Sequence, residues 1–99
     1  MKESEYQKKL KEKITKLFPG CLILKNDPTL IQGIPDLTVL YNDQYAMLEV
    51  KVSSKANVQP NQKDYIDNFS AMGVYSSFVY PENEEEVLHG LKNYFRSQS

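Results

Sequence analysis

The chain has 99 residues, 40% of them hydrophobic and 25% charged, with a formal net charge of −1. That length suits one domain over residues 1–99, and the near-neutral charge is not the strongly basic balance of a chain that coats nucleic acid, although lysines can still be segregated locally. A lone cysteine, Cys21, excludes an intrachain disulfide and a cysteine metal cage, and no apolar run reaches membrane-spanning length.

Residues 3–18 predict a first helix. Tyr6, Leu10, Ile14 and Leu17 recur at helical spacing, with lysines around the rest of the cylinder, and Pro19-Gly20 ends it. Cys21 opens a short strand, "CLILK" at 21–25, where it reads as a small buried apolar residue. Residues 26–35 contain Asn26, Asp27, Pro28, Gly33 and Pro35 and predict a loop. Strands follow at 36–41 and 45–52 around an Asn42-Asp43 turn, then a polar loop at 53–59. A second helix runs from Pro60 to about Met72, with Tyr65, Ile66 and Phe69 on one face and Gly73 as its stop. "VYSSFVY" at 74–80 is a strand, and Pro81 opens a last helix to about Phe95. The order is α-β-β-β-α-β-α. Because the last strand follows a helix, it can lie parallel to its neighbour, giving a small mixed sheet flanked by helices.

The hairpin carries the chemistry. Alternation along 45–52 puts Ala46, Leu48, Val50 and Val52 on one face and Tyr45, Met47, Glu49 and Lys51 on the other. A two-residue turn sets Tyr41 opposite Gln44, Leu40 opposite Tyr45, Thr38 opposite Met47 and Asp36 opposite Glu49. Directly opposed residues have Cβ atoms roughly 4.5–5.5 Å apart. A register slip by one would place Asp36 among Leu48 and Val50, where an unpaired carboxylate is costly. Two like charges face to face then need an explanation. In one, Lys51 neutralises the pair at a solvated sheet end. In the other, a divalent cation supplies the missing charge. Two carboxylates and a backbone carbonyl suit hard Mg²⁺ or Mn²⁺, and Lys51 would orient or deprotonate an attacking water or stabilise developing charge.

Asp36 within "IPD", followed after 12 intervening residues by "EVK", resembles the PD-(D/E)xK nuclease superfamily. With "ESEYQKKL" on the first helix, "GIPDL", "LEVK" and "VQPNQKDYIDNFSAMGV" downstream, residues 3 to about 80 resemble the VRR-NUC family, including its small stand-alone virus-type members. The resemblance implies a restriction-endonuclease-like α/β core and metal-dependent cleavage of DNA phosphodiesters. It implies Asp36, Glu49 and the Val50 carbonyl as ligands of Mg²⁺ or Mn²⁺, and Lys51 as the catalytic lysine. Its helix-one carboxylate falls on Glu3, which shares the stripe of Tyr6 and Leu10, as an outer ligand acting through water; Glu5 is the alternative. Gln7 would lie one turn along and contact DNA. Gln62 would either cap its helix or point into the site toward a water, Lys51 or a phosphate oxygen. Lys55 and Lys63 are further candidates for backbone phosphates, and Lys25 and Asn26 end the first strand beside the motif loop as candidates for DNA contact. His89, in the acidic last helix, reads as a surface residue.

The stand-alone relatives imply branched DNA, cut as by a Holliday-junction resolvase, and a homodimer. The stand-alone form also implies a bacterial cell or virus-infected host cell. The lack of a membrane-length apolar run, and a Lys-rich start without the apolar segment of a signal peptide, predict a cytoplasmic protein with no membrane partner. The alternatives are a restriction- or repair-type nuclease on duplex or flap DNA, and a non-catalytic DNA-binding or protein-interaction module on the same scaffold.

Overall fold

The computed structural model describes residues 1–96. Seven elements follow in the expected order: α1 (Glu3–Leu17), β1 (Leu22–Lys25), β2 (Leu37–Tyr41), β3 (Gln44–Val50), α2 (Pro60–Ala71), β4 (Tyr75–Val79) and α3 (Glu84–Arg96). The strands form one sheet in the order β1-β2-β3-β4. The first three are antiparallel, and β4 runs parallel to β3, as a strand reached through a helical crossover can.

Hairpin β2–β3 has the expected register, with Leu40 opposite Tyr45, Thr38 opposite Met47 and Leu37 opposite Leu48. Asn42 turns the corner in the left-handed region, φ 57°, which asparagine tolerates better than most residues. The strands are shorter than the sequence suggests. Asp36 lies just before β2, and β3 stops at Val50, so the charged residues sit at the sheet's end.

The two faces of the sheet are covered differently. Leu37, Val39, Ala46, Leu48, Val50 and Val79 meet Leu10 and Ile14 of α1 and Val87, Leu91 and Phe95 of α3 in one core. Phe18, Tyr41 and Phe95 close its far end, with ring centroids 5.1–5.4 Å apart. Here the α1 stripe departs from expectation. Phe18 is buried and Leu17 is exposed, because the helix ends at Leu17 and the chain turns Phe18 inward. Cys21 is half-buried rather than a core residue.

Helix α2 covers the opposite face. Ile66 is buried, whereas Tyr65 and Phe69 are half-buried and stacked on each other. Gly73 leaves the helix at φ 86°, a left-handed stop that glycine adopts without penalty. Helix α3 begins at Glu84, three residues after Pro81, because Asn83 closes an intervening turn. Its side chain accepts from the Tyr80 N–H at 2.8 Å and donates to the Phe78 carbonyl at 3.0 Å. Among the described residues, no helix is long and apolar enough to cross a membrane.

Candidate active site

The site is built at the end of the sheet where β2 starts and β3 stops. Asn26 fixes the approach to it. Its N–H donates to the Asp36 carbonyl at 2.8 Å, and its side-chain amide donates to the Pro35 carbonyl at 2.9 Å and the Thr38 hydroxyl at 3.0 Å. Asn26 was a candidate for DNA contact; in the structure its amide is engaged in holding the motif loop. Gly33 brings that loop against α2. Its φ is 88°, and a Cβ there would fall 2.7 Å from Cγ of Asn61. A left-handed backbone and a close approach both require glycine at this position.

The Asp36 side chain turns back onto β3, its Oδ2 accepting the Val50 N–H at 2.9 Å. Continuing the hairpin register past the Leu37–Leu48 pair sets Asp36 opposite Glu49 and Pro35 opposite Val50. A proline has no N–H to give, so the Val50 carbonyl has no ladder donor from β2 at that position.

Glu49 is only 3% exposed and Lys51 only 9%. Glu49 and Lys51 are therefore not solvated, while Asp36 is half-buried. The Glu49 carboxyl is pushed up to about 8, first by burial and then by the Asp36 carboxylate beside it; Lys51 opposes this and Glu3 adds to it. Lys51 Nζ stands 3.6 Å from Glu49 Oε2, a long ion pair, and donates its short hydrogen bond to Gln62 Oε1 at 3.0 Å. Gln62 Nε2 donates to Glu49 Oε2 at 3.3 Å. One buried lysine at that distance does not balance two adjacent carboxylates.

Gln62 performs both tasks that its sequence position suggested as alternatives. Its Oε1 also accepts the Gln59 N–H at 3.0 Å, while the Gln59 side chain accepts the Gln62 N–H, a reciprocal cap at the first turn of α2. Gln59 was missed in the sequence. The signal was its three-residue spacing to Gln62 just before a helix opened by Pro60.

The remaining candidates fall at different distances from this centre. Glu3 is exposed in the first turn of α1, and of the helix-one carboxylates it is the one whose charge acts on Glu49. Gln7 is 5% exposed and accepts a hydrogen bond from Lys25 Nζ at 2.9 Å, so its side chain faces inward instead of toward a duplex. Lys63 is paired with Asp67 on its own helix at 2.7 Å, and the charge of Lys55 acts on Glu82. Both are exposed, each with a local acidic neighbour. His89 is an exposed residue of α3.

Among the described residues, no three His, Cys, Asp or Glu side chains gather closely enough to form a metal cage. The donor set at the sheet end is instead two carboxylates and one carbonyl. That is the all-oxygen, partly complete set of a hard divalent cation that keeps water and takes further ligands from a phosphate. The residues fit such an ion: without it Glu49 holds a proton to about pH 8, in the place a cation's charge would take, and the Val50 carbonyl has no ladder donor from β2.

A four-stranded mixed sheet between helices, with an aspartate before β2 and a Glu-x-Lys at the end of β3, defines an α/β nuclease core. No family model and no curated protein matches the chain. A solved structure described as a VRR_NUC domain superposes with a TM-score of 0.72 at 27% identity, over 88% of this chain and 94% of that one. The chain thus shares the fold of a VRR_NUC domain over most of its length, which supports a place in that family and a nuclease-type function.

Proposed function

We propose that this domain is a divalent-metal-dependent endonuclease that hydrolyses DNA phosphodiesters, with branched DNA of the four-way-junction kind as substrate and a homodimer as the working unit. The observation that carries the metal-dependent reading is Glu49, buried against the half-buried Asp36 carboxylate, a pair that Lys51 at 3.6 Å does not keep fully ionised. The branched substrate and the dimer rest on the likeness to stand-alone VRR-NUC domains.

Asp36, Glu49 and the Val50 carbonyl would hold Mg²⁺ or Mn²⁺, with Glu3 as an outer ligand through water. When bound, the ion supplies the positive charge that a phosphodiester needs as negative charge develops on its oxygens. The chain's own groups do the positioning. Asp36 is fixed by the Val50 N–H and Glu49 by the amide of Gln62. Lys51 is held by Gln62 with protons left to donate, so its ammonium can orient the attacking water or hydrogen-bond a non-bridging phosphate oxygen. Burial of these groups strengthens each electrostatic contact relative to water.

The test is cleavage of a labelled four-way DNA junction and its matched linear duplex and flap, in Mg²⁺, Mn²⁺ or EDTA. Paired, metal-dependent cuts on the junction are expected. Asp36→Ala and Glu49→Ala should each lower the rate at least about 100-fold with folding intact, as removal of preorganised electrostatic groups does. Cleavage by the pure double variant would defeat the assignment. Cleavage of duplex or flap with the junction spared would replace the junction by a restriction- or repair-type substrate. Binding with no cleavage of any substrate would favour the non-catalytic module.

A further inference from the structure

Lys25 stands out among the lysines around the site. It is the last residue of β1, opposite Leu37, and the next residue's N–H is bonded to the Asp36 carbonyl. It shares a sheet face with Ile23, the face covered by α1, whereas Lys51 lies on the face covered by α2. Lys51 thus shares the α2 face of the sheet end with Glu49, and Lys25 stands on the α1 face of the same end.

Their electrostatic situations also differ. Lys13, Lys51 and Lys63 each have a carboxylate within ion-pair distance, on Glu84, Glu49 and Asp67. Among the described residues Lys25 has no such ion pair. Its ammonium is held by a neutral oxygen, Oε1 of Gln7, at 2.9 Å. Gln7 is 5% exposed on the inner side of α1, and a buried amide oxygen needs its hydrogen bond, so the contact anchors the lysine. A carboxylate at position 7 would have anchored and neutralised it together. Glutamine orders the ammonium and leaves its charge available. The acidic group nearest in sequence on this face of α1 is Glu3, one turn before Gln7, and it is not ion-paired with Lys25.

We infer that Gln7 and Lys25 form a preset anion grip that binds a DNA phosphate next to the scissile one, on the α1 side of the site. Lys25 contacts the phosphate, and Gln7 is a positioning residue acting through it. A strand drawn across the sheet end meets Lys51 on one side and Lys25 on the other, which fixes its direction over the carboxylates. This inference rests on the nuclease reading.

The test uses the full chain and a labelled four-way junction in EDTA, with binding followed by anisotropy across a salt series. Lys25→Met should weaken binding about tenfold at moderate salt and reduce the slope of log Kd against log salt by about one, the value for one lost phosphate contact. Lys25→Arg should restore most of both. Gln7→Leu keeps every charge and should still weaken binding several-fold, while Tm holds or rises. A Gln7 with only a structural role would shift Tm and leave the salt slope alone. Lys92→Met, on α3, measures the effect of one charge removed elsewhere. If Lys25→Met binds no worse than Lys92→Met while the parent protein binds and cleaves in Mg²⁺, the grip is overturned and the nuclease reading stands. If the parent protein neither binds nor cleaves junction, flap or duplex, the nuclease reading fails and takes the grip with it.

Discussion

At the scale of single residues, Glu49 is the group whose setting most exceeds what its neighbours can compensate. It is buried beside Asp36, and its carboxyl is pushed up to about 8 from an ordinary value near 4.5. In the unfolded chain the group ionises near that ordinary value. Between the two values the folded state therefore keeps a proton that the unfolded state has lost. Stability of the metal-free protein should accordingly be greatest toward the acid end of this window and fall as pH rises toward 8. A single proton changes stability by at most about 1.4 kcal/mol per pH unit. Urea melts in EDTA at several pH values across the window read this directly, and Glu49→Gln should flatten the trend. A parent protein that gains stability over the same range would show that the pair is already neutralised. The opposition of Asp36 to Glu49 was legible in the sequence because a two-residue turn fixes a hairpin's register. The burial of Glu49 was not. The same strand residues are solvated or covered depending on where α2 docks, and hairpin alternation contains no information on that.

At the scale of elements, the first turn of α2 joins architecture to chemistry. Gln59 and Gln62 cap the helix reciprocally, and Gln62 also holds Lys51 and Glu49. The two glutamines therefore separate by experiment. Gln59→Ala removes part of a cap, worth about 1 kcal/mol, and should lower Tm by about 4–8 °C in a domain of this size. It should leave most of the cleavage rate. Gln62→Ala should cost comparable stability and in addition lower the rate at least about tenfold, since Lys51 loses its acceptor. Equal rates for the two variants would show that Lys51 is positioned without Gln62. Element order and strand pairing were readable from hydrophobic periodicity, proline and glycine. Less readable were the element ends, because they are decided by side chains reaching across the chain. Asp36 bonding to Val50, Asn83 closing its turn and Phe18 folding inward after the last turn of α1 are tertiary effects. Asn26 belongs with them: its role in holding the Asp36 loop depends on a hydroxyl on β2, which no local pattern announces.

At the scale of the whole molecule, acid and base are segregated although the net charge is −1. Glutamates crowd the start of α3, and lysines line α1 and flank the sheet end. One protomer carries one site, so paired cuts on a symmetric substrate call for two copies. Sedimentation at micromolar concentration should give twice the mass of the chain, and a monomer there would count against the homodimer. The parallel pairing of β3 with β4 has a consequence for how activity arises. Asp36 and Glu49 are brought together by a hairpin, which can form early from contacts close in sequence. Gln62 belongs to the crossover helix, which is seated only when β4 has found its place beside β3. Pairings that span such a connection assemble later than hairpins do. On the proposed nuclease reading, a newly made chain would possess its acidic pair before an ordered lysine, and would stay inactive until the crossover has closed.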